Sequence, residues 1–539
     1  MSRHETRRPG MFALCGAAAA LAAACGGRPP EWSRDTGDAS AFGLRSAVAL
    51  VDPAAERVVM LQALEAQGLA RAPIALGRNV VNVRPSPHAE KLFVLSAGHR
   101  AGIGDDQPDE APSLTVIDPR ESPPTRRYDL DFLTDALFGL TIDPIDERWA
   151  VLHAAPGVSN ALVRNPNELV FIDLTQPPGP TAYVTRTLFS FGGRPERLTF
   201  TRELSLPTGP ERLLIVESDQ DISILRLGHL DVPEITVPLT SATDTRRLAP
   251  AGIVIDDGDP ARDDDARIGV RLRDDSTVIT LELGPAQGGN GFLPRPNLTD
   301  VGGVPSDIAF VRTDGGLRLA ALVPTRSKAT LIDPVTNLTT DVALPTGYRS
   351  LSLVTPVTGA TATGSDVALL WNGTVAREGV AFWELGQTAG QPYRSIETLT
   401  VAAAVAEVLD VPTKPRLKVL RTAGASAFYV LDLATRTAAP LLTSTPSISH
   451  SMSPAGDQVW TFVTGGTEVA STNLDTGHPR SLLIERPVHQ VFEVERADGG
   501  LAVIVLHAIG GFGATIYDAT TLDDETRRLY AGLLTEGPY

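Results

Sequence analysis

One phrase returns along the chain: an apolar run, an acidic residue, a turn, then another apolar run. It stands as "VALVDPAAERVVML" at Asp52, "LTVIDPRESPPTRRYDL" at Asp118 and "LVFIDLTQPPGPTAYV" at Asp173. Further copies are "ATLIDPVTNLTTDVAL" at Asp333, "FYVLDLATRTAAPLL" at Asp432, "ASTNLDTGHPRSLLI" at Asp475 and "ATIYDATTLDD" at Asp518. Degenerate copies centre on Arg226, Glu282 and Glu384, and the anchors fall 66, 55, 53, 56, 51, 51, 48, 43 and 43 residues apart. Between anchors lie two more apolar runs, among them "RWAVLHAA", "ERLLIVES", "ARIGVRL" and "LAVIVLHA". Each unit thus offers about four short strands rich in Val, Ile, Leu and Thr, bounded by Pro, Gly, Asp and Asn.

Four such strands cannot bury both faces of their own sheet. Arranged radially the sheets cover one another, so the expected fold is all-β, a β-propeller of four-stranded antiparallel blades. About eight to ten units are expected, the first showing only its last two strands. They form either one large ring or two smaller rings meeting near Gly284–Pro296 ("GPAQGGNGFLPRP"). The anchor aspartate has a local task, since its carboxylate can accept the backbone N–H groups of the next turn. That role is structural. "YVLDLATRTAAPLL" and "LIDPVTNLTTDVALPTG" resemble YVTN/WD40-like, quinoprotein-like propeller repeats, over most of residues 46–534. The resemblance implies the fold and says little of function, because propellers host binding, scaffolding and several chemistries.

The front of the chain carries an address. Arg3, Arg7 and Arg8 precede an uncharged run from Met11 to Ala24, too short for a spanning helix and suited to a signal-peptide core. Leu21, Ala22, Ala23 and Ala24 then lead to Cys25, an arrangement that resembles the bacterial lipobox, with Leu21 one position further from the cysteine than usual. The alternative is a plain secretory signal with Cys25 incidental. Cys15 and Cys25 are the only cysteines, so removal of residues 1–24 leaves Cys25 alone and no disulfide. The expected organisation is a signal over 1–24, a Gly/Pro/Asp-rich tether over 25–45, repeats over 46–534 and a tail over 535–539. Gly26-Gly27 after the cysteine implies, by the same resemblance, the outer membrane of a Gram-negative bacterium, on its periplasmic or surface face.

Charge narrows the partners. The chain carries −17, and residues 1–24 hold three Arg and one Glu, leaving about −19 afterwards. No basic stripe offsets this, so nucleic acid is not expected and acyl chains are the expected membrane contact. An envelope protein is the expected partner.

Standard catalytic signatures are absent from the sequence. The sharpest acidic feature is "DDGDPARDDDAR", in which Asp256, Asp257, Asp259, Asp263, Asp264 and Asp265 either wrap a Ca²⁺ or decorate a solvated hairpin loop beside Arg262 and Arg267. Residues closing the second strand of a unit lead, in propellers, to the rim of the channel: His153, Glu217, Arg273, Trp371, Arg421 and His507. They form either a binding rim or ordinary loop variety. The expectation is a lipid-anchored propeller that binds or scaffolds an envelope component. A metal-dependent, lactonase-like or quinoprotein-like propeller enzyme is the alternative.

Overall fold

The computed structural model describes residues 39–534 except 66–67, 101–107, 134–135, 156–162, 191–193, 240–247, 259–264, 286–291, 355–364, 375–378, 389–390, 393–394, 423–426, 443–448, 508–511 and 526. Its strands form ten four-stranded antiparallel sheets, each built from neighbouring strands in chain order. The blades span residues 40–75, 80–129, 139–187, 197–238, 250–300, 307–343, 350–399, 405–442, 449–483 and 488–530, here blades 1 to 10. A two-stranded hairpin, Gln387–Thr388 with Gln391–Pro392, interrupts blade 7 before its fourth strand. Helix among the described residues is confined to single 3-10 turns such as Pro53–Ala55.

The middle strands read as continuous apolar runs because they are covered on both faces. Ala47–Asp52, Leu92–Ser96, Trp149–His153 and Ser113–Ile117 are buried at every position. A strand buried on both faces loses the alternation that marks a half-exposed one. The fourth strands regain exposure, as in Thr339–Ala343, where only Val342 is buried. At six of the ten junctions the first strands of neighbouring blades approach within 8 Å at Cα, which places the first strands around the hub.

Ten apolar clusters sit between the blades, one per junction. The cluster that closes the ring joins Val48, Leu50 and Leu61 of blade 1 to Val494, Ile504 and Leu506 of blade 10. One ring therefore forms, not two. Gly284–Pro296 is no boundary; Gly284 pairs with Leu293 between the third and fourth strands of blade 5.

Two sequence expectations are corrected at blade 1. Ser40–Leu44, placed in the tether above, is its first strand and pairs with Ala47–Asp52. Asp52 closes the second strand, not the third, and Arg57–Ala63 and Leu69–Ala75 complete the sheet. The anomalous 66-residue interval follows from that phase error, since Leu64, just past the third strand, stands 54 residues before Asp118.

The turn role of the anchors holds. Asp118 accepts from Arg120 N at 3.0 Å, Asp173 from Thr175 N at 3.0 Å, and Asp333 from Val335 N and Thr336 N at 2.9 and 3.0 Å. Asp432 and Asp518 do likewise. In blade 9 the turn is held by Asn473 instead, which accepts from Asp475 N and Thr476 N at 3.0 Å each, while Asp475 reaches Lys414 Nζ at 2.6 Å.

Candidate functional site

Strand order fixes two faces. First-to-second and third-to-fourth connections open on one, the hairpin face. Second-to-third turns and blade-to-blade links open on the other, the linker face. The rim candidates all close second strands and so lie on the linker face, on blades 3, 4, 5, 7, 8 and 10.

His153 stands opposite Gly139 in the register of blade 3. A Cβ on Gly139 would lie 2.4 Å from the His153 ring, so only glycine lets the imidazole lie across that strand. The ring bonds Thr141 Oγ1 through Nε2 at 3.3 Å and the Ala154 carbonyl through Nδ1 at 3.3 Å. A carbonyl only accepts, so Nδ1 carries the proton and Nε2 accepts. His507 repeats the pair of hydrogen bonds on the other side of its strand. It faces Gly513, with Nε2 2.8 Å from Thr515 Oγ1 and Nδ1 3.2 Å from the Pro487 carbonyl. Burial lowers both pKa values, against the pull of the carbonyls, and keeps the rings neutral.

Glu217 and Arg273 do come together. Glu217 is only 2% exposed, and its Oε1 has no hydrogen-bond partner among the described residues. Arg197, its register partner on the first strand of blade 4, holds Nε 3.8 Å from that oxygen. Burial pushes the carboxyl up, opposed by Arg197, Arg271 and Arg273 and reinforced by Glu196. Arg273 itself donates to Glu196 at 2.5 Å. Arg271 donates to the carbonyls of Ala251 and Pro305, while Asp307 accepts from Ile308 N and Leu351 N. The linker face of blades 4 to 6 is thus a compact mixed-charge network.

A second network sits on blades 8 and 9. Arg421 Nε donates to Glu407 Oε2 at 2.8 Å, and both act electrostatically on His450, whose pKa burial lowers. Trp371 stands apart on blade 7, half-buried, its carbonyl accepting from Arg349 N at 3.0 Å. Sequence reading missed Arg197, Glu196, Arg271, Glu407 and His450. The fragment "GRPER" ahead of blade 4 marks a charged approach to a first strand, but the pairing of Arg197 with Glu217 exists only across the hairpin.

Of the acidic loop, Asp259, Asp263 and Asp264 lie outside the described residues. Asp256 ends the first strand of blade 5 in register with Arg267. Burial raises its pKa; Arg267 and Arg312 oppose this, and Asp265 and Asp257 add to it. The guanidinium opposite supplies a counter-charge from within the protein. No grouping of three or more His, Cys, Asp or Glu suited to a metal occurs among the described residues. Cys25 also lies outside them.

No family model matches the chain, and no curated protein matches it. Among solved structures it is similar to a eukaryotic initiation factor at 12% identity and a TM-score of 0.38, over 87% of this chain and 93% of that one. It is also similar to the dihydro-heme d1 dehydrogenase NirN at 13% identity and a TM-score of 0.33, over 96% and 84%. A third likeness is to BBS1N in complex with ARL6DN, at 9% identity and a TM-score of 0.30, over 60% and 93%. The chain's own strand order and junction clusters define it as a ten-bladed β-propeller.

Proposed function

We propose that this propeller is a lipid-anchored protein of the bacterial cell envelope that holds another envelope component on its rim and carries out no reaction of its own. One observation carries this reading: the six rim candidates occupy six different blades and fall into separate groups, His153 with Thr141, Arg421 with Glu407, His507 with Thr515, and Glu217 with Arg273 in the network of blades 4 and 5. The ten first strands ring the hub. Groups spread around such a circle present a surface, whereas a reacting centre needs its groups within hydrogen-bond reach of one atom. The repeats' YVTN/WD40-like character and the Cys25 anchor belong to the same proposal. The chain between Cys25 and Ser40 would reach at most roughly 50 Å when extended. It would enter blade 1 at the start of its first strand, so the linker face would turn toward the bilayer.

Affinity capture from native envelopes in gentle detergent tests the binding role. A stoichiometric protein partner, lost when Arg197 and Arg421 are both changed to Ala, is the expected result. Recovery of the chain alone would overturn it.

A further inference from the structure

A cleft of about 860 Å³ opens at the periphery between blades 2 and 3, away from the hub. It falls within the roughly 300–1,000 Å³ of sites that enclose a ligand of several side chains' bulk. Its lining includes Asp109, Glu110, Asp129, Asp131, Phe132 and Tyr183.

The electrostatics are one-sided. Arg127 is the one cationic side chain lining the cleft among the described residues, and it serves Glu110 and Asp129 at 2.8 Å each. Arg78 also reaches Glu110, Nε to Oε2 at 3.4 Å, so four carboxylates face two guanidiniums and leave two net negative charges. The aromatic floor is accessible. Phe132 is 41% exposed, although an apolar ring gains by hiding, and its centroid lies 5.1 Å from that of Tyr183 at a 46° tilt. Burial, Asp129, Tyr128 and Asp131 push the Tyr183 phenol up to about 12, so it stays a neutral donor with an electron-rich face. The turn at Pro178–Gly179–Pro180 forms part of the wall. Proline fixes φ at Pro178 and Pro180 on either side of Gly179.

An aromatic face flanked by carboxylates is the environment that a planar, weakly hydrated cation prefers. We propose that this cleft binds an extended, arginine-bearing segment of a partner protein, with a guanidinium against Phe132 and Tyr183 and its N–H groups on Asp129 and Asp131. The cleft holds more than one side chain, and a chain of net charge −17 attracts basic segments at a distance. The inference rests on the binding role proposed above and names the chemistry of what is bound.

Calorimetric titration of the full chain with a short Gly/Arg peptide, its citrulline counterpart and spermine tests it. The arginine peptide is expected to bind at least about tenfold tighter than the citrulline one. Phe132→Ala and Asp131→Asn should each weaken it about three- to tenfold, and Glu525→Gln on blade 10 should not. Asp131→Asn, on an exposed link, keeps the test open if Phe132→Ala unfolds. Equal binding of the citrulline peptide, equal loss in Glu525→Gln, or displacement by equimolar spermine would each overturn the proposal. An envelope partner captured equally well by Phe132→Ala and Asp131→Asn chains would sink this cleft and leave the binding role standing.

Discussion

Arg45 and Glu495 stand 450 residues apart in the chain and meet at 2.6 Å, Nε to Oε1, where blade 10 packs on blade 1. Glu495 N also donates to the Arg45 carbonyl at 2.8 Å, and Glu90 and Arg120 of blade 2 complete a four-charge group. The pair is half-exposed, and exposed ion pairs contribute about 0–1 kcal/mol. The apolar cluster behind it is the stronger clasp. Within it a Cβ on Gly43 would lie 2.5 Å from Phe492 Cδ1. Arg45→Ala should therefore lower stability by less than about 1 kcal/mol, and Gly43→Ala by about 1–3 kcal/mol. Urea unfolding of both variants decides the order, and a larger loss in Arg45→Ala would reverse the argument.

Glu493 offers a pH test. It lies on the first strand of blade 10, buried, with Trp460 Nε1 of blade 9 donating to Oε2 at 2.9 Å and Oε1 without a hydrogen-bond partner among the described residues. Burial pushes its carboxyl from 4.5 up to about 7, against the Trp460 hydrogen bond. A folded pKa above the unfolded one means that stability is complete below about 4.5 and is lost as pH rises through about 7. Glu493→Gln keeps an acceptor for Trp460 and adds no charge. It should be more stable than the parent at pH 8, by up to about 3 kcal/mol, and match it at pH 4. Melting curves at the two pH values are the measurement; a constant difference would refute the assignment.

The histidine devices carry the opposite sign. His153 and His507 have folded pKa values below the ordinary 6.5, so their contribution is present above 6.5 and fades as pH falls through the lowered values. Replacing either by Gln, which cannot gain that charge, should reduce acid sensitivity. Gly139→Ala should cost about 1–3 kcal/mol by driving a methyl into the His153 ring. The same change in a His153→Ala background should cost less, and a double-mutant cycle reads the coupling.

Asp173 separates turn capping from ion pairing. Burial would raise its pKa, but Arg148 and Thr175 outweigh it and hold the group low, so this stabilisation is present above 3.8 and lost as pH falls further. Asp173→Ala removes the bonds to Thr175 and Arg148 together and should cost about 1–3 kcal/mol. Asp173→Asn retains the turn acceptor and should cost less. Equal losses would mean that the half-exposed Arg148 pair dominates.

For the anchor, Cys25→Ser should abolish incorporation of labelled palmitate in cells and shift the protein from the membrane to the soluble fraction. Unchanged fractionation would remove the lipid from the proposal.

The repeat was legible, to within eight to ten blades, because in blades 2, 3, 6, 8, 9 and 10 the turn after the third strand is held by a side-chain acceptor near one position. Blade 1 misled because Asp52 caps a 3-10 turn after a second strand, with Ala55 N 3.2 Å from Oδ1, and so imitates the same sequence phrase. Ser40–Leu44 was hidden by its brevity and its glycine. The rim positions were readable as strand ends. Their partners were not: Arg271 and Glu217 are brought into one electrostatic network only by the packing of two blades. The Phe132–Tyr183 cleft is further still from the sequence, since it exists where two neighbouring sheets diverge at their outer edges.

No described sheet borrows a strand from the far end of the chain; every blade is finished by consecutive segments. A chain emerging end first, from the ribosome or from a translocation pore, can therefore complete each blade as it emerges and stack it on the one before. Only a single seam, blade 10 against blade 1, has to wait until blade 10 has emerged. Until then the two end blades each show a greasy face to their surroundings, and that interval is when the molecule is most exposed to capture by a second unfinished copy.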